Sequence, residues 1–238
     1  MKSEKSNVES IFSSIAEKYD ILNTILTLNI DSFWRKKAVN ISNMKKNSRV
    51  LDLCCGTGKM IYYACKRVGR DTEVIGLDFN KAMLDVGYKR LNKNMNNYKY
   101  KLLKGDVQEL PFENYSFDCV TIAFGLRNIP NKTKALSEIY RVLKPGGRVI
   151  CLELSTPQMP IFRQIYGLYF NNILPIIGYI GSGNKIAYSY LRDSVNNFMT
   201  KAELKYTFES IGFHEVNYKS LSGGIASIHY GTKPIEIK

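Results

Sequence analysis

The run Asp52-Leu53-Cys54-Cys55-Gly56-Thr57-Gly58 brings an acid, two thiols and two glycines to the end of an apolar stretch, Val50 to Cys54. Glycines at such a point let the backbone turn tightly and come close to a bound group. Twenty residues beyond Gly58, Asp78 closes a second apolar stretch, Val74 to Leu77. A carboxylate placed there accepts hydrogen bonds from ribose hydroxyls. A glycine pair alone is a weak signal; with a preceding strand, a following helix and Asp78 it becomes a strong nucleotide signal.

The kind of nucleotide follows by exclusion. A dinucleotide site wants a third glycine at position 61, which here is Ile61. There is no Gly-Lys-Ser/Thr triplet, so a Walker-type phosphate loop is excluded. An adenosine ligand without phosphates, such as S-adenosylmethionine, fits what remains. Gly105-Asp106-Val107, after a third stretch Tyr100 to Lys104, places a carboxylate for the adenine amino group.

Other reactive side chains carry less. Arg127 follows the fourth apolar stretch, Cys119 to Phe124; its guanidinium stays protonated, so it suits polarising a phenolic oxygen or a water, or else a surface ion pair. Cys54 and Cys55 read as small packed side chains rather than a redox pair. His229 reads as a packed strand histidine, with catalysis as the minor alternative. Tyr19 and Asn23 fall on an N-terminal helix that either closes as a lid or simply packs. Five cysteines without a CxxC pair and only two histidines argue against a metal site.

The elements that must hold these residues alternate. A helix is predicted from about Gly58 to Val68, and Asn80 can cap the next, which shows Leu84, Tyr88 and Leu91 at helical spacing. Another shows Leu136, Ile139 and Leu143 and stops at Lys144-Pro145-Gly146-Gly147, before the strand Val149 to Leu152. Continuously apolar strands alternating with helices mean a parallel sheet covered on both faces. Thr200-x-x-Glu203 is a capping box opening a helix of Leu204, Phe208 and Ile211 that ends at Gly212. His214 to Leu221 and Ala226 to Thr232 then form a hairpin, predicted to close the sheet edge with an antiparallel strand. The expected fold is a single doubly wound α/β domain, 1–238, with a Rossmann-like, mostly parallel seven-stranded sheet. Residues 1–47 form its helical lid, and 158–199 an apolar helical insertion over the substrate site.

Charge and hydropathy narrow the partners. From Gln164 to Asn184 the chain has no charge, nominally enough for a membrane span. Asn171, Asn172, Pro175 and four glycines would expose backbone to lipid, so two short apolar helices broken at Pro175 fit better. The N-terminus has no signal-type stretch, and the expected location is cytoplasmic. A net charge of +13 suits nucleic acid, an anionic bilayer surface, or simply a solvated basic face. Base methylation goes with a motif like Asn-Pro-Pro-Tyr after the fourth strand; FGLRN stands there instead, so no nucleic acid is expected. The remaining partner is the inner face of a membrane, met by Arg35-Lys36-Lys37 and Lys45-Lys46; self-association into a homo-oligomer stays open.

VLDLCCGTG, GLDF, GDVQELPF and RVLKPGGRVICLELS (141–155) resemble the class I methyltransferases. YDILN (19–23), FGLRN (124–128) and AYSYLRDSVNNF (187–198) narrow the likeness to the ubiquinone/menaquinone biosynthesis C-methyltransferases, over about Val8 to Lys233. The resemblance implies a methyl group moved from S-adenosylmethionine to a ring carbon of a polyprenylated quinol, demethylmenaquinol becoming menaquinol, without a metal. It implies cofactor contacts at Gly56, Thr57, Gly58, Asp78, Asp106, Val107 and position 123, and substrate chemistry at Arg127, Asn128 and Tyr19. The chain departs from the family pattern where Ser-x-Gly-x-His becomes Thr27, Asn29 and Asp31, and where a serine becomes Ala123. Those departures leave another small or lipidic acceptor, or a non-catalytic cofactor-binding partner, as alternatives.

Overall fold

The computed structural model describes residues 2–27, 29–157, 160–168 and 185–235. Helices α1 (Lys2–Ile15), α2 (Tyr19–Leu26) and α3 (Ile30–Ile41) lead into the sheet. Strands β1 (Val50–Leu53), β2 (Val74–Asp78) and β3 (Tyr100–Lys104) alternate with α4 (Lys59–Val68) and α5 (Lys81–Asn94). Strand β4 (Phe117–Ala123) passes through a short 3-10 turn, Leu126–Asn128, into α6 (Lys132–Val142) and β5 (Leu143–Leu154). Then come α7 (Pro160–Leu168), α8 (Lys185–Asn196), α9 (Lys201–Ile211), β6 (His214–Leu221) and β7 (Ala226–Thr232).

The seven strands form one sheet in the order β3-β2-β1-β4-β5-β7-β6. Strand β1 pairs in parallel with β2 on one side and β4 on the other, so the winding reverses there. A crevice opens beyond the carboxyl ends of β1 and β4, where ligands of such sheets bind. Side chains alternate between two cores. Val50 packs with Trp34, Ile61 and Leu91 under α3, α4 and α5, whereas Leu51 and Leu53 pack with Leu136, Ile139 and Phe208 under α6 and α9. Each such fully buried aliphatic side chain contributes about 1.5–3 kcal/mol.

Three expectations change. The antiparallel strand is not at the edge: β7 lies one in, antiparallel to both β5 and β6. Burial explains the order, because β7 is almost wholly buried while β6 is mostly exposed and suits a rim. Leu143 leads β5 instead of ending α6. It pairs with Phe117, and the next pair is Cys119 with Arg148, so Lys144-Pro145-Gly146-Gly147 bulges out of the ladder with Gly146 at φ 76°. Tyr88, predicted on the apolar face of α5, is 58% exposed; Gly87 takes the inward position beside Leu84 and Leu91. Among the described residues no helix is long and apolar enough to cross a membrane. The uncharged stretch lies outside the described residues from 169 to 184.

Gly87 links fold to crevice. A Cβ there would stand 3.0 Å from the Gly56 carbonyl oxygen and 3.1 Å from the Thr57 carbonyl carbon. Alanine is worth about 0.8–1 kcal/mol more than glycine in a helix, but here it would press on backbone that cannot step aside. Gly87→Ala is expected to forgo that gain, showing no rise in Tm, and to weaken nucleotide binding several-fold by calorimetry. A stabilised variant with unchanged affinity would refute the contact.

Candidate active site

Where β1 ends, Cys54, Gly56 and Gly58 all have positive φ, at 51°, 52° and 75°. For Cys54 this conformation is strained, and strain of this kind gathers at functional sites. The loop after β4 packs directly against this residue: a Cβ on Gly125 would lie 2.4 Å from the Cys54 Cβ. The two loops meet at van der Waals distance, and Phe124 is also left-handed, at φ 60°.

Asp78 ties this region together. Its Oδ2 accepts the Gly56 N–H at 2.8 Å and its Oδ1 the Asn80 N–H at 2.9 Å. Burial raises its pKa, with the backbone N–H groups pulling the other way. Each carboxylate oxygen can accept a second hydrogen bond, which leaves capacity for ribose hydroxyls.

Asp78 lines a cleft together with Gly56, Thr57, Asp106, Val107, Ala123, Asn128 and Tyr19. Two other residues expected at the site stand elsewhere. Gly58 caps α4, with Leu91 filling the space a side chain would need. Arg127 faces a small adjoining cavity, walled by Ile11, Phe12, Tyr19, Leu22 and Tyr190 among others. Phe12 and Tyr19 line both spaces.

Two residues of the cleft wall are not among those expected to bind there: Asp52 only opens the glycine run, and Arg35 is expected on a membrane-facing surface. Asp52 is 1% exposed; its Oδ1 accepts the Thr121 hydroxyl at 2.6 Å, and its Oδ2 is buried without a partner. Burial pushes its pKa up to about 7, against the Thr121 hydrogen bond and the Arg35 charge. Arg35, also buried, lies over the Phe124 ring at 4.9 Å and holds Asp31 at 3.5 Å. An unsatisfied carboxylate and a guanidinium in one wall fit the ammonium and carboxylate of an amino acid. The available signal was an acid inside the otherwise apolar run Val50 to Leu53. Burial pushes the Asp31 carboxyl up, but Arg35 and Lys59 outweigh it and hold it below the usual range.

Arg127 is not in a surface ion pair. Its Nη1 donates to Glu153 Oε1 at 2.6 Å and to the Phe124 carbonyl at 2.7 Å, with the two charged side chains 5% and 1% exposed. Burial would lower the guanidinium pKa; Glu153 reverses this and raises it. Glu153, also unread in the sequence, accepts the Arg127 and Leu154 N–H groups too. Nearby, the Tyr190 hydroxyl donates to Asn128 Oδ1 at 2.9 Å. Burial raises the Tyr19 phenol, with Arg127 and Arg35 opposing.

The minor alternatives resolve simply. His229 is 1% exposed, outside both cavity walls, with Nε2 at 2.9 Å from the Lys201 carbonyl. Burial lowers its pKa to about 4, so it is a neutral packed imidazole. Burial raises the Cys54 and Cys55 thiols well above their ordinary value, which makes neither a ready thiolate.

A crevice at the winding reversal, a glycine turn and a ribose-type carboxylate on a mostly parallel seven-stranded sheet define a Rossmann-like methyltransferase of the S-adenosylmethionine-dependent kind. Solved structures share the fold. An S-adenosylmethionine-dependent methyltransferase from Thermotoga maritima matches with TM-score 0.66 and 18% identity, over 94% of this chain and 99% of that one. One from Aquifex aeolicus matches with TM-score 0.62 and 18% identity, over 83% and 88%. The chain belongs to the ubiE/COQ5 methyltransferase family, whose profile matches residues 1–233. Demethylmenaquinone methyltransferase of Staphylococcus aureus is 46% identical over 232 residues, 98% of this chain and 95% of that protein.

Asp52 sets stability against binding. A raised carboxyl pKa means the folded state keeps a proton that the unfolded chain gives up, so stability falls as pH rises from about 4 towards about 7. The loss is on the order of 1.4 kcal/mol per pH unit across that window. Asp52→Asn is therefore expected to raise Tm at pH 8, to gain less and less as pH falls towards 4, and to weaken S-adenosylmethionine binding. A variant whose Tm difference is flat with pH would remove the buried-charge account.

Proposed function

We propose that the chain methylates a ring carbon of a polyprenylated quinol, converting demethylmenaquinol to menaquinol with S-adenosylmethionine as donor. The observation that carries this reading is buried Arg127, held from behind by Glu153 and facing an apolar cavity that shares Phe12 and Tyr19 with the Asp78 cleft. The name of the Staphylococcus aureus relative supports demethylmenaquinol as the acceptor.

Asp78 would hold the donor's ribose, Asp106 and Val107 its base, and Asp52 and Arg35 its amino-acid end, with Gly56, Thr57 and Ala123 along its length. When bound, the donor supplies a methyl group on a cationic sulfonium that departs as a neutral thioether. The chain's own task is to present a ring carbon and make it nucleophilic. Ionising one quinol oxygen concentrates electron density on the adjacent carbon, which gains the methyl group and then gives up its ring proton. A fixed guanidinium at Arg127 favours that phenolate, the more so in a dry cavity. Glu153 holds the guanidinium in place, Tyr19 stands where the two spaces meet, and Asn128 on the cleft wall accepts the hydroxyl of Tyr190 from the cavity.

The substrate is lipidic, and the surface fits a bilayer. Ile21, Ile30 and Phe33 are 64%, 40% and 57% exposed, beside the exposed Lys18 and Lys36. Lys45 and Lys46 are exposed as well, whereas Arg35 is buried and contributes nothing to a surface cluster. Each surface cation near anionic lipid gains about 1 kcal/mol, screened within about 10 Å at 0.1 M salt. The protein is expected to sediment with anionic vesicles at low salt and to leave them at high salt; equal binding to neutral vesicles would overturn the electrostatic contact.

The function is tested by anaerobic methyl transfer to reduced demethylmenaquinone, following the methylated quinol by mass spectrometry. Arg127→Lys keeps the charge opposite Glu153 but not the planar fork. It is expected to fold, to keep its donor affinity and to lose about 10²–10³ in turnover. Arg127→Ala leaves Glu153 buried and unpaired, a cost of about 3–5 kcal/mol in stability. A lysine variant within a few-fold of wild type would end the assignment.

A further inference from the structure

Asp20, in the first turn of α2, is where the N-terminal helices meet the glycine loop. Its Oδ1 accepts the Thr57 hydroxyl at 2.7 Å and lies 3.8 Å from Lys59 Nζ. Its Oδ2 lies 3.7 Å from Arg90 Nε, and Arg90 itself donates to the Thr57 carbonyl at 2.9 Å. One carboxylate thus gathers the glycine loop, the start of α4 and the middle of α5. Helix α1 is tied separately: Asn80 donates to the Glu9 carbonyl at 2.9 Å and to the Ser13 hydroxyl at 3.0 Å.

The same helices wall both spaces. Val8, Phe12 and Tyr19 line the cleft, so a molecule bound there touches α1 and α2. The adjoining cavity draws Ile11, Phe12, Ile15, Tyr19, Leu22 and Asn23 from them. Without these helices over the sheet, that cavity loses most of its wall, and the cleft lies open. A ligand shifts such an equilibrium only through contacts it makes in one state and not the other. A donor in the cleft has those contacts.

We infer that Asp20 is a positioning residue that latches α2, beside an α1 tied through Asn80, over the glycine loop once the donor is bound, so the quinol pocket is assembled second. Binding is then ordered: donor before quinol, and methylated quinol released before S-adenosylhomocysteine. The inference rests on reading the adjoining cavity as the quinol site.

The test uses the full chain, S-adenosylhomocysteine and a short-chain demethylmenaquinol kept reduced. Coupling between two ligands is reciprocal and typically about 5–150-fold. In wild type, S-adenosylhomocysteine is expected to tighten quinol binding by about tenfold or more, and to slow amide exchange in residues 6–24. Asp20→Asn keeps an oxygen for Thr57 but drops the attraction to Lys59 and Arg90. It is expected to lose most of the coupling and of the exchange protection. Its quinol KM should rise about tenfold, the size of the lost coupling, with kcat little changed. Quinol binding that is equally tight with and without S-adenosylhomocysteine would overturn the order, and an Asn variant with wild-type coupling and protection would overturn the latch. If the Asn variant melts well below wild type, Asp20→Glu restores the charge. Recovered coupling sustains the latch, and a folded Glu variant without it counts against it. Should wild type fail to methylate the quinol at all, the functional reading fails instead, and Asp20-dependent exchange protection still reads the latch.

Discussion

The Asp78 carboxylate is the joint on which the rest of the site depends. It is buried, and burial wins over the backbone N–H groups of Asn80, Gly56 and Phe79 that favour its charge. Such charge-assisted hydrogen bonds are worth about 1.5–3 kcal/mol each, yet the carboxylate still sits uneasily. In exchange, the end of β2 fixes the glycine loop through Gly56 and the start of α5 through Asn80, and Asn80 in turn fixes α1. Sheet, loop, helix and cover are thereby set by one side chain and its neighbour two residues on.

Charge is distributed with a purpose that the chemistry explains. The Cys54 thiol is pushed up by burial and then by Asp78, Asp52, Glu153 and Asp106 in turn. Four carboxylates around one point make a negative field that suits a cationic donor. Glu153 is held directly by a buried cation, Arg127. In the cleft wall Asp52, Asp78 and Asp106 stand against Arg35 and Lys59, a balance that suits a sulfonium, while Arg127 faces the adjoining cavity and suits a phenolate.

What could be read in the sequence was what is local. The glycine turn, Asp78 and the Thr200–Glu203 capping box depend on residues within a few positions, and their spacing suffices. Asp52 needed Thr121 and Arg35 beside it, Arg127 needed Glu153, and Thr57 needed Asp20. These partners are brought together by folding across 69, 26 and 37 positions for Thr121, Glu153 and Asp20 respectively. The strand order shows the same limit: two strands of a hairpin are visible in the pattern, but which of them enters the sheet is decided by burial against β5. His229 is the reverse case, a chemically able side chain whose surroundings deprive it of a role.

The outer strands carry a consequence for crowding in the cell. Strand β6 takes one rim of the sheet with His214, Glu215, Asn217 and Lys219 exposed. Its ladder slips between His214 and Asn217, where Glu215 adopts φ 52°. At the other rim β3 exposes Lys101 and Lys104. Charges and a bulge on free strands block the addition of a further strand. Where copies of a chain crowd together, rims guarded in this way keep them from knitting their sheets into one.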